Sequence, residues 1–266
     1  MTQGAKWSLT GAIIGACIAL ASQAPAKWLA QAISNASHHR FVLKHAQGTV
    51  WSGSAVASLS EGVGARPSAS PLEMALPTRL QWSFSPGLDS ASWGLVMRAQ
   101  ITSACCTPEP LQMRISLGWQ GWRVEIANQQ SQWPLNWLVG LGSPWNTVQP
   151  QGNMQLRTQG LSWQSGAGSP KLLGSAELTL VQMATPLSTL RPLGTYLLRI
   201  QGGDTMSLSL STLGGGLQLS GNGQWADGRL RFRGQARAQP AFEAALSNLL
   251  NILGQRQGAT SILELG

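Results

Sequence analysis

Charge is what the sequence has least of. Only 11% of its 266 residues are Asp, Glu, Lys or Arg, where an ordinary soluble domain has about 25%. Either dense surface charge is not what keeps the chain in solution, or part of it is not in water. The ten carboxylates are single and dispersed, with no local pair of the kind that acid and base catalysis uses. Lysine stands at Lys6, Lys27, Lys44 and Lys171 alone, and no Lys/Arg run or basic stripe with interleaved aromatics occurs. The net charge of +8 therefore points to weak attraction for anionic lipid or another polyanion and away from nucleic acid. Also missing are G-x-x-x-x-G-K-[ST], a G-x-G-x-x-G between strand and helix, H-E-x-x-H and G-x-S-x-G. His38, His39 and His45 fall close together, but the first carboxylate in the chain is Glu61, so a metal there lacks nearby ligands. No metal, no cofactor and no enzymatic activity are expected.

Long apolar runs are scarce too, and the single one lies at the N-terminus. Twenty residues from Trp7 to Ala26 carry no charge, which at about 1.5 Å per residue crosses a hydrocarbon core of about 30 Å. Trp7 and Trp28 flank it, where indoles favour the membrane interface. A single-pass anchor with a cytoplasmic N-terminus is expected over residues 1–27. The alternative is a cleaved signal peptide, for which Ala19-Leu20-Ala21 supplies a small-x-small site. Gly11 and Gly15 form a G-x-x-x-G within the run, a spacing that lets two helices pack closely in a membrane. Residues 28–46 read as a juxtamembrane linker that continues the helix and then turns into a strand, and residues 47–266 as an exported β-rich domain.

Thirty-one glycines and few helix-promoting charges favour strands and turns. Apolar residues alternate with polar ones at Leu80, Trp82 and Phe84, then from Trp93 to Ile101, Leu111 to Leu117, and Trp122 to Ile126. The same pattern returns at Met154 and Leu156, Leu178 and Leu180, Tyr196 to Ile200, and Met206 to Leu210. Period two gives each strand one apolar and one polar face. The clearest hairpin runs from Leu217 to Ala238 about Asp227-Gly228, a pair suited to a two-residue type I′ turn. From Pro240 to Leu253, Phe242, Leu246, Leu249, Leu250 and Leu253 follow helical spacing, with Pro240 in the first turn and Gly254 as the cap. Pro134 to Leu141 reads as a short helix or apolar loop, residues 60–77 and 164–171 as loops, and Ile262 to Leu265 as a last strand. The fold class is mainly β: an N-terminal transmembrane helix, then a curved antiparallel β-meander or half-barrel with a C-terminal amphipathic helix.

Cys105 and Cys106 are adjacent, and in an oxidising compartment they do not stay free by default. Cys17, inside the apolar run, cannot reach them. The pair bonds to itself, bonds to another chain or stays reduced; a loop staple and a redox or intermolecular role are both open.

Three stretches carry a family resemblance: Gly48-Thr49-Val50-Trp51-Ser52-Gly53; Pro192-Leu193-Gly194-Thr195-Tyr196 leading into Leu198-Arg199-Ile200-Gln201-Gly202; and Asn248 to Gly254. With the N-terminal anchor they resemble protein N of the bacterial type II secretion system. That resemblance implies a non-enzymatic accessory component of the bacterial inner membrane, its bulk in the periplasm, docking on other inner-membrane and periplasmic secretion components. It makes Gly48, Thr49, Val50, Trp51, Gly53, Pro192, Gly194 and Tyr196 candidate partner-binding residues. Trp51 is either an interface anchor or a packed core indole with glycine bends around it. The Cys105-Cys106 pair has no counterpart in the resemblance. The competing function is an AsmA-like open groove sheltering lipid, favoured if the Pro240–Leu253 helix leaves the apolar face uncovered.

Overall fold

The computed structural model describes residues 15, 19–62, 73–89, 94–119, 121–165, 171–226 and 229–265. The described chain opens with a helical stretch that ends at Ser22. After it comes helix α1 (Ala26–Ala36), followed by strands β1 (Phe41–Gly48), β2 (Ser52–Ser60), β3 (Glu73–Ala75), β4 (Leu80–Asp89) and β5 (Gly94–Ser103). Next are β6 (Leu111–Gly118), β7 (Gly121–Ile126), β8 (Gln129–Pro134), a 3-10 helix (Leu135–Leu141) and the four-residue α2 (Trp145–Val148). Two long strands follow, β9 (Gln151–Gln164) and β10 (Lys171–Ala184), then β11 (Gly194–Gln201), β12 (Ser207–Gly214), β13 (Leu217–Ala226) and β14 (Arg229–Ala238). A 3-10 turn (Pro240–Phe242) leads into α3 (Glu243–Leu253), and β15 (Gln255–Gln257) and β16 (Thr260–Leu265) end the described chain.

All sixteen strands join one antiparallel sheet, in the order β1-β2-β4-β5-β6-β7-β9-β10-β11-β12-β13-β14-β16-β15, with β3 beside β2 and β8 beside β9. The order follows the chain almost without interruption, as expected of a meander whose strands are joined by short turns. The path does not close, so β1 and β15 are its two ends. On β9, Gly160 and Leu161 face the single residue Gly174 of β10, and both glycines have positive φ, 56° and 83°. A bulge of this kind bends a strand and sharpens its twist. Gly174 must be glycine, because a Cβ there would enter the Gly160 carbonyl.

The alternation read from the sequence sets one continuous apolar face. In register across it run Trp82 to Ile101 to Leu111, and farther on Leu156 to Leu178 to Leu198 to Leu210. The opposite face is polar, with cross-strand ion pairs Arg199–Glu177 at 2.6 Å and Arg233–Glu264 at 2.9 Å. These side chains are solvated and add little stability.

Two separate cores lie on the apolar face. Near β1 to β5, Ala26, Leu43, Ala55, Ala57, Leu76, Trp82 and Cys106 are buried together, with Leu29, Ile33, Trp133 and Trp137 packed against them. Residues 28–46 are thus α1 and β1, packed on the sheet, and the helix does not continue into them unbroken. It stops at Ser22, Gln23 and Ala24 are non-helical, and α1 starts anew after Pro25. At the other end, Leu246, Leu249 and Leu250 of α3 are buried with Leu193, Tyr196, Leu217, Ala236 and Ala238. Gly254 follows α3 as its cap, as expected, in extended conformation, φ −177°. It sits against the Ile262 carbonyl with no room for a Cβ. The apolar 134–141 stretch is the 3-10 helix, and part of the 60–77 loop is β3. Asp227 and Gly228, where the turn is expected, lie outside the described residues; Ala226 and Arg229 on either side are paired.

Among the described residues no helix is long and apolar enough to cross a membrane. The expected span from Trp7 to Ala26, Gly11 included, falls mostly outside them; Gly15 is helical with nothing within 4 Å of an added Cβ.

Leu249→Ala removes a buried side chain from the α3 core and should lower unfolding stability by about 2–5 kcal/mol. Ile252→Ala, on an exposed position of the same helix, should stay within about 0.5 kcal/mol. Urea unfolding of the purified full chain, followed by tryptophan fluorescence, separates the two.

Candidate functional site

The Gly48–Gly53 stretch is the turn between β1 and β2, and its tightness comes from its glycines and from Thr49. Gly48 has φ +88°, and a Cβ on Gly53 would lie 2.6 Å from both the Gln47 carbonyl and the Trp82 ring. Inside the turn, the Thr49 amide donates to the Ser52 carbonyl at 2.8 Å and the Ser52 amide to Thr49 Oγ1 at 3.1 Å.

This turn grips the segment arriving from the N-terminal helix. The Val50 amide donates to the Ala24 carbonyl at 2.8 Å, Trp51 Nε1 donates to the Ala21 carbonyl at 2.7 Å, and Pro25 forms an isolated bridge with Thr49. The Phe84 amide donates to the Trp51 carbonyl at 2.6 Å, and Trp82 Nε1 donates to the Val50 carbonyl at 3.0 Å. Carbonyls at the end of a helix lack an intrahelical donor; here the Ala21 carbonyl accepts from the Trp51 indole beside the Ala24 amide at 3.4 Å, and the Ala24 carbonyl accepts from the Val50 amide. Trp51 is half-buried, bonded to this chain's own N-terminal segment on one side and to β4 on the other. Trp82, Ala21 and Ala24 complete the arrangement. Ala21 and Ala24 take part through backbone carbonyls, which leave no residue-type signature.

Tyr196 lies in the other core, with Gly194 and Pro192 just before it in the chain, and the fold does not bring them to the turn. Gly194 and Tyr196 are buried, while Pro192 is exposed. The phenol of Tyr196 donates to the Leu217 carbonyl at 3.1 Å, and a Cβ on Gly194 would lie 2.9 Å from that phenol oxygen. Gly194 is therefore the space into which Tyr196 fits. Burial pushes the Tyr196 pKa well above the usual phenol value. Gly194 and Tyr196 are both enclosed by their own domain.

Cys105 and Cys106 are bonded to each other in the turn after β5. Cys106 is buried in the first core, and its carbonyl accepts from the Gln132 amide at 2.7 Å, while Cys105 is exposed with its amide donating to Thr78 Oγ1 at 3.1 Å. The pair thus joins the turn after β5 to β8 and to the residues before β4. His38, His39 and His45 have φ of 51°, 61° and 51°, the left-handed region that histidine tolerates better than most side chains. They shape the end of α1 and the β1 irregularity between Lys44 and Gln47. No group of three His, Cys, Asp or Glu able to hold a metal occurs among the described residues. The arrangements found at these residues position backbone and pack indoles.

The family model for type II secretion system protein N matches residues 40–262 of this chain. No curated protein and no solved structure matches it.

Two outcomes check these assignments. Trp51→Phe keeps the ring but removes the bond to Ala21, a term of about 0.5–1.5 kcal/mol. Limited proteolysis of the full chain should then cut within residues 19–25 faster, with the urea midpoint little moved. Tyr196 is the chain's single tyrosine, and its raised pKa has a definite sign. Above about pH 10 an unfolded chain ionises the phenol while the folded chain keeps its proton. Stability should fall as pH rises through that range, and Tyr196→Phe should lose this part of the decline. Unfolding midpoints between pH 8 and 11, with absorbance titration of the one phenol, read it directly.

Proposed function

The chain belongs to the type II secretion system protein N family, and on that premise we propose that it is a tethered accessory component of the secretion machine. Residues 1–27 supply a cytoplasmic tail and an inner-membrane anchor, and the sheet stands in the periplasm and docks on other inner-membrane and periplasmic secretion components. It acts by position and contact and catalyses nothing. The observation that carries this reading is the family match over residues 40–262, which takes in nearly the whole sheet. The Gly48–Gly53 turn supports the tether, since it ties the end of the uncharged N-terminal run to the sheet at Ala21 and Ala24. Trp51 thus serves the anchor's attachment, and the docking surface is the solvated polar face of the sheet.

A second reading, an AsmA-like lipid-sheltering groove, is favoured by the incomplete cover of the apolar face. Helix α3 buries its leucines over the C-terminal core alone, while Leu95, Leu117 and Trp163 on that face stay more than half exposed.

The test is a photo-crosslinking residue placed at Gln235, exposed on the polar face of β14, and separately at Leu117 on the apolar face. The full chain is expressed from its own locus in intact cells. Adducts from position 235 to secretion components are expected. Lipid adducts at 117, with none to protein at either position, would replace docking by the groove. No adduct at 235 in a folded, membrane-associated protein would overturn docking through the polar face.

A further inference from the structure

Antiparallel pairing fixes which turns share an end of the strands. Because β2 pairs with β4 from Ser52↔Ser83 to Ala55↔Leu80, the β1–β2 turn lies toward the β4–β5 turn. The β6–β7, β9–β10, β11–β12 and β13–β14 connections fall at that same end. The opposite end carries the 3-10 helix, α2, the 185–193 connection and the start of α3, and both cores sit toward it.

Burial follows this polarity along single strands. On β4, Trp82 is 4% exposed, and Leu88, three positions farther along the same face, is 80% exposed. Leu88 pairs with Leu95, Leu95 with Leu117, and Leu117 with Trp122. Trp122 meets Trp163 edge to face at 5.1 Å between ring centroids. The result is one row of large apolar side chains across five strands. Trp119, just beyond β6, is 95% exposed, and Trp225 near the end of β13 is 46% exposed. Of the eleven exposed large apolar side chains among the described residues, nine lie at this end, Leu20 and Trp28 beside the N-terminal segment included. A water-facing rim with this content is an unpartnered interaction surface.

The occupant is given by where the N-terminal run leaves the domain. The uncharged residues 7–26 end at the β1–β2 turn, held there through Ala21 and Ala24, and that turn belongs to the tryptophan-rich end. An anchor leaving from this end places the same end next to the bilayer it spans. Indoles partition to the headgroup level and leucines to the acyl boundary just below it. Charge agrees: Lys27 follows the run, Arg229 begins β14 at this end, and the net charge is +8, which favours an anionic leaflet; Lys171, also at this end, is paired with Asp204 at 3.3 Å. We propose that the rim bearing Leu88, Leu95, Leu117, Trp119, Trp163 and Trp225 rests in the interface of the anchoring membrane, a second contact beside the anchor. This rests on the membrane-anchored reading above.

The experiment uses the full chain with Cys17→Ser, reconstituted into phosphatidylethanolamine–phosphatidylglycerol vesicles, with single environment-sensitive labels on cysteines introduced at 119, 88, 20 and 239. Gln239 is exposed at the opposite end. Labels at 119 and 88 should be quenched by lipid-borne quenchers and severalfold protected from aqueous iodide, with 239 open to iodide. Lipid quenching at 20 with 119 and 88 freely accessible to iodide would overturn the rim contact and leave the anchor standing. No lipid quenching at 20 would sink the anchored reading itself, and this inference with it. Protection at 119 and 88 without lipid quenching would mean that a protein, such as a second copy, covers the rim, and would overturn the proposal.

Discussion

A sheet made of strictly alternating strands has one face that water does not tolerate, and the rest of this molecule is arranged around covering it. Fourteen strands lie side by side along the main path, far more apolar surface than a chain with so few helices can cover. The available cover is concentrated: α1 and the 3-10 helix over β1 to β5, and α3 over β11 to β16. Burial is complete where those pieces sit and partial between them. This unequal cover explains why the molecule has two cores in place of one, and why its exposed tryptophans and leucines gather at one end.

The strands were legible because their signal is local. Leu80 to Phe84, Leu111 to Leu117 and the Leu217 to Ala238 hairpin each show period two within a few residues, and each is a strand in register with its neighbours. The α3 leucines were legible for the same reason, at helical spacing. The break at Pro25 was not read, although proline lacks the amide a helix interior needs, because the surrounding alanines continue an apolar run on either side. Gly254 was legible as the residue that ends α3, but its extended conformation was not, because that is set by the backbone of β16 beside it.

 The close approach of the Ile262 carbonyl is what excludes a side chain at that position.

The candidate site was half legible. The Gly48–Gly53 stretch stood out by its residue types, and the structure gathers Gly48, Thr49, Val50, Trp51 and Gly53 into one turn. What the turn holds could not be read, because Ala21 and Ala24 take part through carbonyl oxygens, and any residue has one. Tyr196 posed the opposite problem. A lone tyrosine among prolines and glycines looks the same in sequence whether its phenol faces a partner or a carbonyl of its own fold, and only the neighbouring Leu217 backbone decides between them.

The separation of the two cores has a mechanical consequence. Leu193, Tyr196 and the α3 leucines share no buried residue with the cluster around Trp82, so the central strands are joined chiefly by their hydrogen-bond ladders and by half-buried side chains. Such a molecule is stiff at both extremities and compliant in the middle, like a leaf spring clamped at each end. A displacement applied at the Trp51 turn is taken up as flexing of the central strands before it strains the α3 core, and the central strands open to solvent at lower free-energy cost than either clamped end.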